Sequence, residues 1–122
     1  MGKGADSILN TKSYAFAIRI VKLSQFLQKD KSEYILSKQI LRSGTAIGAL
    51  IRESEFGQSK SDFIHKLSIA LKEANETDYW ISLLYDTEYI DFCQCTSIQA
   101  DCNELISLLV ASIKTLKTNL NS

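Results

Sequence analysis

A chain of 122 residues, 45% of them hydrophobic, can build one sizeable core and fits a single domain over 1–122. It contains no proline and has glycine only at positions 2, 4, 44, 48 and 57, so the punctuation of a many-stranded β fold is missing. Fourteen Lys/Arg balance fourteen Asp/Glu, and no run of about 18 apolar residues is present to make a membrane helix.

The N-terminal MGKGADSILN lacks the apolar segment of an export signal, and Asp6 stands where a myristoylation pattern needs Ser or Thr. Three cysteines, an odd number, do not suggest a disulfide framework. A cytoplasmic protein is expected. The charge is unevenly spread: residues 1–60 carry ten Lys/Arg against five Asp/Glu, and residues 61–122 carry four against nine. Two basic helices pairing with two acidic ones in one bundle would account for this. A basic face for nucleic acid is the competing reading.

Asn10 or Thr11 is the expected cap of a first helix over about 11–28, with Phe16, Ile20, Leu23 and Leu27 on one stripe and Tyr14, Ile18 and Val21 beside it. QKDKS interrupts the pattern. Ser32 is the expected cap of a second helix over about 33–56, stopped by Gly57. Its apolar stripe runs through Leu36, Ile40, Ile47 and Leu50. Small residues from Ser43 to Ala49 interrupt it, including Gly44 and Gly48, and such a surface lets another helix come close. Glycine within a helix costs roughly 0.5–1 kcal/mol relative to alanine, so close approach is the evident return.

Ser59 and Asp62 resemble a capping box opening a third helix over about 60–86. Phe63, Leu67, Ala70, Ala74, Thr77, Ile81 and Leu84 alternate spacings of four and three, the seam of a bundle helix packed at about 20° to its neighbours. DTEYID makes the next turn, with Asp91 as a cap. A fourth helix over about 92–120 then carries Ile98, Cys102, Leu105, Leu109, Ile113, Leu116 and Leu120. The expected fold is all-α, an antiparallel up-down-up-down four-helix bundle.

The segments QILRSGTAIGALIRESE (39–55), DFIHKLSIALKEANETDYWISLL (62–84) and SYAFAIRIV (13–21) resemble the four helix bundle protein family. Its founding members are encoded by intervening sequences within bacterial large-subunit ribosomal RNA genes. That family is similar in fold to the accessory protein of diversity-generating retroelements, a pentameric barrel that binds a reverse transcriptase and nucleic acid. The resemblance implies a helical bundle assembling as a ring-like homopentamer, with no enzymatic activity. Ala46 and Leu50 replace the Ser and Asn usual in the family's helix-two motif. The sequence pI of 6.6 departs from the strongly basic retroelement proteins.

If the second and third helices are antiparallel about Gly57, Arg42 stands level with Glu73, and Glu76 lies one turn away. A guanidinium can hold a carboxylate in bidentate fashion and so fix register. Gln39, Arg42, Ser43, Gly44, Gly48, Glu53, Glu73, Glu76 and Trp80 are therefore the structural or interface candidates. Lys12, Arg19, Lys22, Lys38 and Arg52 are the candidate nucleic-acid contacts, since phosphate binding needs only exposed positive charge. RNA, DNA or a nucleic-acid enzyme is the partner under that reading.

No catalytic, cofactor or metal residue is assigned. The di-iron pattern needs Glu-x-x-His on two helices, whereas the one histidine, His65, has only Asp62 at that spacing. His65 and the three cysteines fall near opposite bundle ends, about 20–40 Å apart. Gly44 and Gly48 lie within a helix and form no phosphate-cradling loop. A non-enzymatic assembly or interaction protein is the leading expectation, and a nucleic-acid or ribonucleoprotein accessory protein is the alternative.

Overall fold

The computed structural model describes the backbone of residues 3–121 and the side chains of residues 8–119. Four helices, α1 (Lys3–Lys31), α2 (Leu36–Ser54), α3 (Lys60–Asp86) and α4 (Phe92–Asn121), make up the described chain, which contains no strand. Each helix packs on the next and α4 returns to α1, where the contact is least extensive. Cross-helix bonds run antiparallel throughout: Ser24 to Ser37 between α1 and α2, Thr77 to Ser43 between α2 and α3, Gln99 to Asp78 between α3 and α4, and Arg19 to Asp101 between α1 and α4. The topology is the expected up-down-up-down bundle.

The helix ends differ in part from the sequence reading. α1 starts at Lys3, about two turns before the expected cap at Asn10 or Thr11. Leu9, which is fully buried, extends the core stripe backwards. Ser32 ends α1 with a left-handed backbone (φ 52°) instead of capping α2. The cap of α2 comes from Glu33, whose carboxylate accepts the backbone N–H groups of Ile35, Leu36 and Ser37 at 3.2, 3.0 and 2.7 Å. Three orphan donors and the positive end of the helix dipole account for a buried carboxylate there.

The other two starts follow the residues anticipated for them. Ser59 accepts the Asp62 N–H at 3.1 Å, while Asp62 reaches back to the Gln58 N–H at 3.3 Å. Asp91 and Gln94 exchange bonds of 2.7 and 2.9 Å, a reciprocal capping box.

The core is one cluster. All seven seam residues of α3 from Phe63 to Leu84 are buried, as are Ile98, Cys102, Leu105, Leu109 and Ile113 of α4, with Leu116 half-buried. Leu120 lies outside the described side chains. In α1, Phe16, Ile20 and Leu27 are buried, Leu23 is half-buried, and Tyr14, Ile18 and Val21 face outward.

The buried face of α2 corrects the expected stripe. It runs through Ser37, Ile40, Ser43, Gly44, Ile47, Ile51 and Ser54, with Leu36 and Leu50 at its margins. The buried serines have local partners: Ser54 Oγ donates to the Ile51 carbonyl, and Ser43 Oγ accepts from Thr77 at 2.8 Å. A satisfied hydroxyl makes such a residue tolerable inside.

Candidate functional site

The small residues of α2 are turned toward α1. A Cβ added at Gly44 would stand 2.7 Å from Ile20 Cγ1 and 2.8 Å from Ile20 Cγ2. At Gly48 it would meet the Ser13 carbonyl and hydroxyl oxygens at 3.4 Å. The close approach inferred from the glycines is thus an approach of α1 within the same chain. Ser43 serves the other side, accepting the Thr77 hydroxyl, and all three residues act in bundle packing.

The α2–α3 seam carries the polar cluster. Arg42 spans two carboxylates one turn apart: Nη1 donates to Glu73 Oε2 at 3.3 Å, and Nη2 donates to Glu76 Oε2. Glu73 Oε1 is buried 3.2 Å from Nη1 but outside hydrogen-bonding geometry, so its compensation is coulombic. The Trp80 indole N–H donates to Glu76 Oε2 at 3.2 Å, and the indole meets Tyr79 edge-on with centroids 5.1 Å apart.

This clamp shapes the titrations. The two carboxylates hold the Arg42 guanidinium above its ordinary range, Glu73 acting more strongly than Glu76. The Glu76 carboxyl is held below its own range, first by the Trp80 N–H, against some desolvation, and then by Arg42. Gln39 and Glu53 are exposed on α2, and Glu53 lies 3.9 Å from Lys66.

The candidate nucleic-acid residues are divided by their neighbours. Lys12 pairs with Glu104 at 3.2 Å and Arg19 with Asp101 at 2.7 Å, so both close the α1–α4 seam. Arg52 lies over the Tyr14 ring, 5.8 Å from its centroid. Lys22 and Lys38 are exposed and make no ion pair with the described residues. Intrachain pairing of the basic half with the acidic half therefore accounts for much of the charge asymmetry.

His65 is exposed, and among the described residues no group of three His, Cys, Asp or Glu side chains could hold a metal. Cys93 is exposed while Cys95 and Cys102 are buried. Burial raises the Cys95 thiol and pushes Cys102 up to about 12, Asp78 adding to the effect.

The composition did not disclose an open groove of about 530 Å3 between α1 and α2, lined by Tyr14, Ala17, Ala49, Arg52 and Phe56 among others. Its signal was the excess width of the α1 apolar arc, which leaves Tyr14 outside the core and on the groove wall.

A small all-helical bundle with a charge-clamped helix seam and an apolar outer groove is the class these features define. The sequence pattern of the 23S rRNA-intervening sequence proteins matches residues 5–111, and the chain belongs to that family. A crystal structure of a protein of unknown function from the S23 ribosomal protein family of Bacteroides thetaiotaomicron VPI-5482 is similar in sequence and fold. It shares 55% identity over 90% of this chain and 98% of its own, with a TM-score of 0.89. No curated protein matches. No described helix is long and apolar enough to cross a membrane.

Proposed function

We propose that this protein is a non-enzymatic, cytoplasmic assembly module that functions as a ring-like homopentamer. The observation that carries the reading is an apolar outer face left over after the core is complete. Tyr14, Ile18 and Val21 follow one another at helical spacing on α1 with exposures of 59, 44 and 38%, and Phe56, 79% exposed, stands beside Tyr14 across the groove. Contiguous apolar surface of this kind marks an interaction site more often than a solvated face. Membership of the family adds the expectation of five copies.

The native mass tests it. Light scattering on the purified chain is expected to give about five times 13.7 kDa, and a concentration-independent monomer would overturn the reading.

A second reading, a nucleic-acid or ribonucleoprotein accessory protein, is supported by Lys22, Lys38 and Arg52, whose charges are not matched by an acidic side chain of the described chain. An oligomer would repeat those charges. Retardation of RNA or DNA that weakens with added salt is its expected mark. Unchanged mobility at low salt removes it.

A further inference from the structure

Two apolar features stand on opposite faces of the bundle and at the same level along it. One is the Phe56 ring at the end of α2, with Glu53 and Glu55 close by in the chain. The other is a groove of about 390 Å3 between α3 and α4, floored by Leu71, Val110 and Ile113 and rimmed by Lys114 and Lys117.

Their common height follows from the antiparallel pairings. Glu53 is level with Lys66 across the α2–α3 seam. Eight residues along each helix from the Cys102–Ala74 contact, in opposite directions, Lys66 is level with Val110 across the α3–α4 seam. Neither lysine of the groove makes an ion pair with the described residues, and Val110 is 49% exposed. On the opposite face, among the described residues, Glu55 is held by the Asn10 side-chain amide and Glu53 by a 3.9 Å contact with Lys66. An apolar knob flanked by carboxylates thus matches an apolar groove rimmed by ammonium groups.

We propose that Phe56 of one copy docks in the Leu71–Val110–Ile113 groove of the next, with Glu53 and Glu55 meeting Lys114 and Lys117. The proposal rests on the self-assembly reading and names its interface. Because knob and groove lie on different faces, the contact is heterologous: every copy gives one and receives one, and the series continues until rotation closes it. An exposed aromatic entering a desolvated pocket is the usual centre of such an interface, with the charges setting register at the rim.

The test uses two full-length variants at exposed positions, Phe56→Ser without the knob and Val110→Trp with the groove filled. Each alone is expected to remain helical by circular dichroism and to be monomeric by native mass spectrometry. Mixed in equal amounts, they are expected to give a heterodimer and nothing larger, because only one knob and one groove remain intact. Lys114→Glu with Lys117→Glu is expected to weaken assembly at least tenfold, and adding Glu53→Lys with Glu55→Lys in the same chain is expected to restore it.

A wild-type oligomer whose mass is unchanged by both Phe56→Ser and Val110→Trp overturns this interface while leaving self-assembly in place. Two monomeric variants that do not combine when mixed also overturn it, in favour of a like-to-like contact. A monomeric wild-type chain overturns the assembly reading and the interface together.

Discussion

At Gly44 the α1–α2 distance is set by the absence of a single carbon. Because both γ carbons of Ile20 stand within 3 Å of the place a Cβ would occupy, Gly44→Ala forces the helices apart. It is expected to lower stability by about 1–3 kcal/mol, read from the urea midpoint. In combination with Ile20→Ala the cost should be less than the sum of the two. Glu76 gives a pH-dependent counterpart. Its folded pKa is depressed, so its contribution is present above the unfolded value near 4.5 and is lost as pH falls through the lower folded value. Trp80→Phe removes the indole N–H whose bond does most to lower it. Carboxyl NMR is then expected to show Glu76 titrating closer to 4.5, and the stability lost on acidification should be smaller and confined to a narrower range below 4.5. Thiol chemistry separates the three cysteines: exposed Cys93 should react with an alkylating reagent in the folded protein, whereas Cys95 and Cys102 should react only after unfolding.

At the scale of the elements, the ends of α3 and α4 can be tuned separately. Glu88, at φ 68°, occupies the left-handed position of a Schellman ending in which Tyr89 N–H bonds the Leu84 carbonyl at 2.9 Å and Glu88 N–H bonds that of Tyr85 at 3.0 Å. Glycine suits that backbone better, so Glu88→Gly is expected to raise stability by about 0.5–1 kcal/mol. Asp91→Ala should cost about 1 kcal/mol through the lost capping box.

The four helices and most of the core were legible because Phe63 to Leu84 and Ile98 to Ile113 keep a strict spacing of large or neutral residues. α2 was harder to read. Its inward positions at 37, 43 and 54 are serines, which look solvated until their hydroxyl partners are known. Glu33 as a cap was invisible for a related reason: it sits ahead of the helix on a backbone reversal at Ser32 that favours no particular residue in the pattern. The level of Arg42 with Glu73 and Glu76 could be deduced from antiparallel geometry. The α1–α2 groove could not, since it depends on how far α1 rotates Tyr14 away from the core.

For the whole molecule, zero net charge conceals a division into a basic and an acidic half, and the fold uses it at two of its four seams. Lys12–Glu104 and Arg19–Asp101 join α1 to α4, Arg42–Glu73 and Arg42–Glu76 join α2 to α3, and Gln99–Asp78 supplies a neutral counterpart between α3 and α4. The α1–α2 seam, basic on both sides, relies instead on the close contact at Gly44 and the bonds among Ser24, Gln28 and Ser37. The exposed ion pairs contribute roughly 0–1 kcal/mol each and are screened by salt, so their larger effect is on which faces meet.

The α1–α4 seam is both the least extensive and the one whose residues stand farthest apart in the chain, Arg19 and Asp101 being separated by 82 positions. Joining it demands the greatest loss of chain entropy, after three local hairpin contacts can already have formed. It should therefore be the last closure on the folding route. Arg19→Ala, which deletes the bonds to Asp101 and Ser97, is expected to accelerate unfolding about threefold to fivefold while leaving the refolding rate nearly unchanged. In stopped-flow measurements this would appear as displacement of the unfolding arm alone. A matching change in refolding would place the α1–α4 closure inside the folding nucleus.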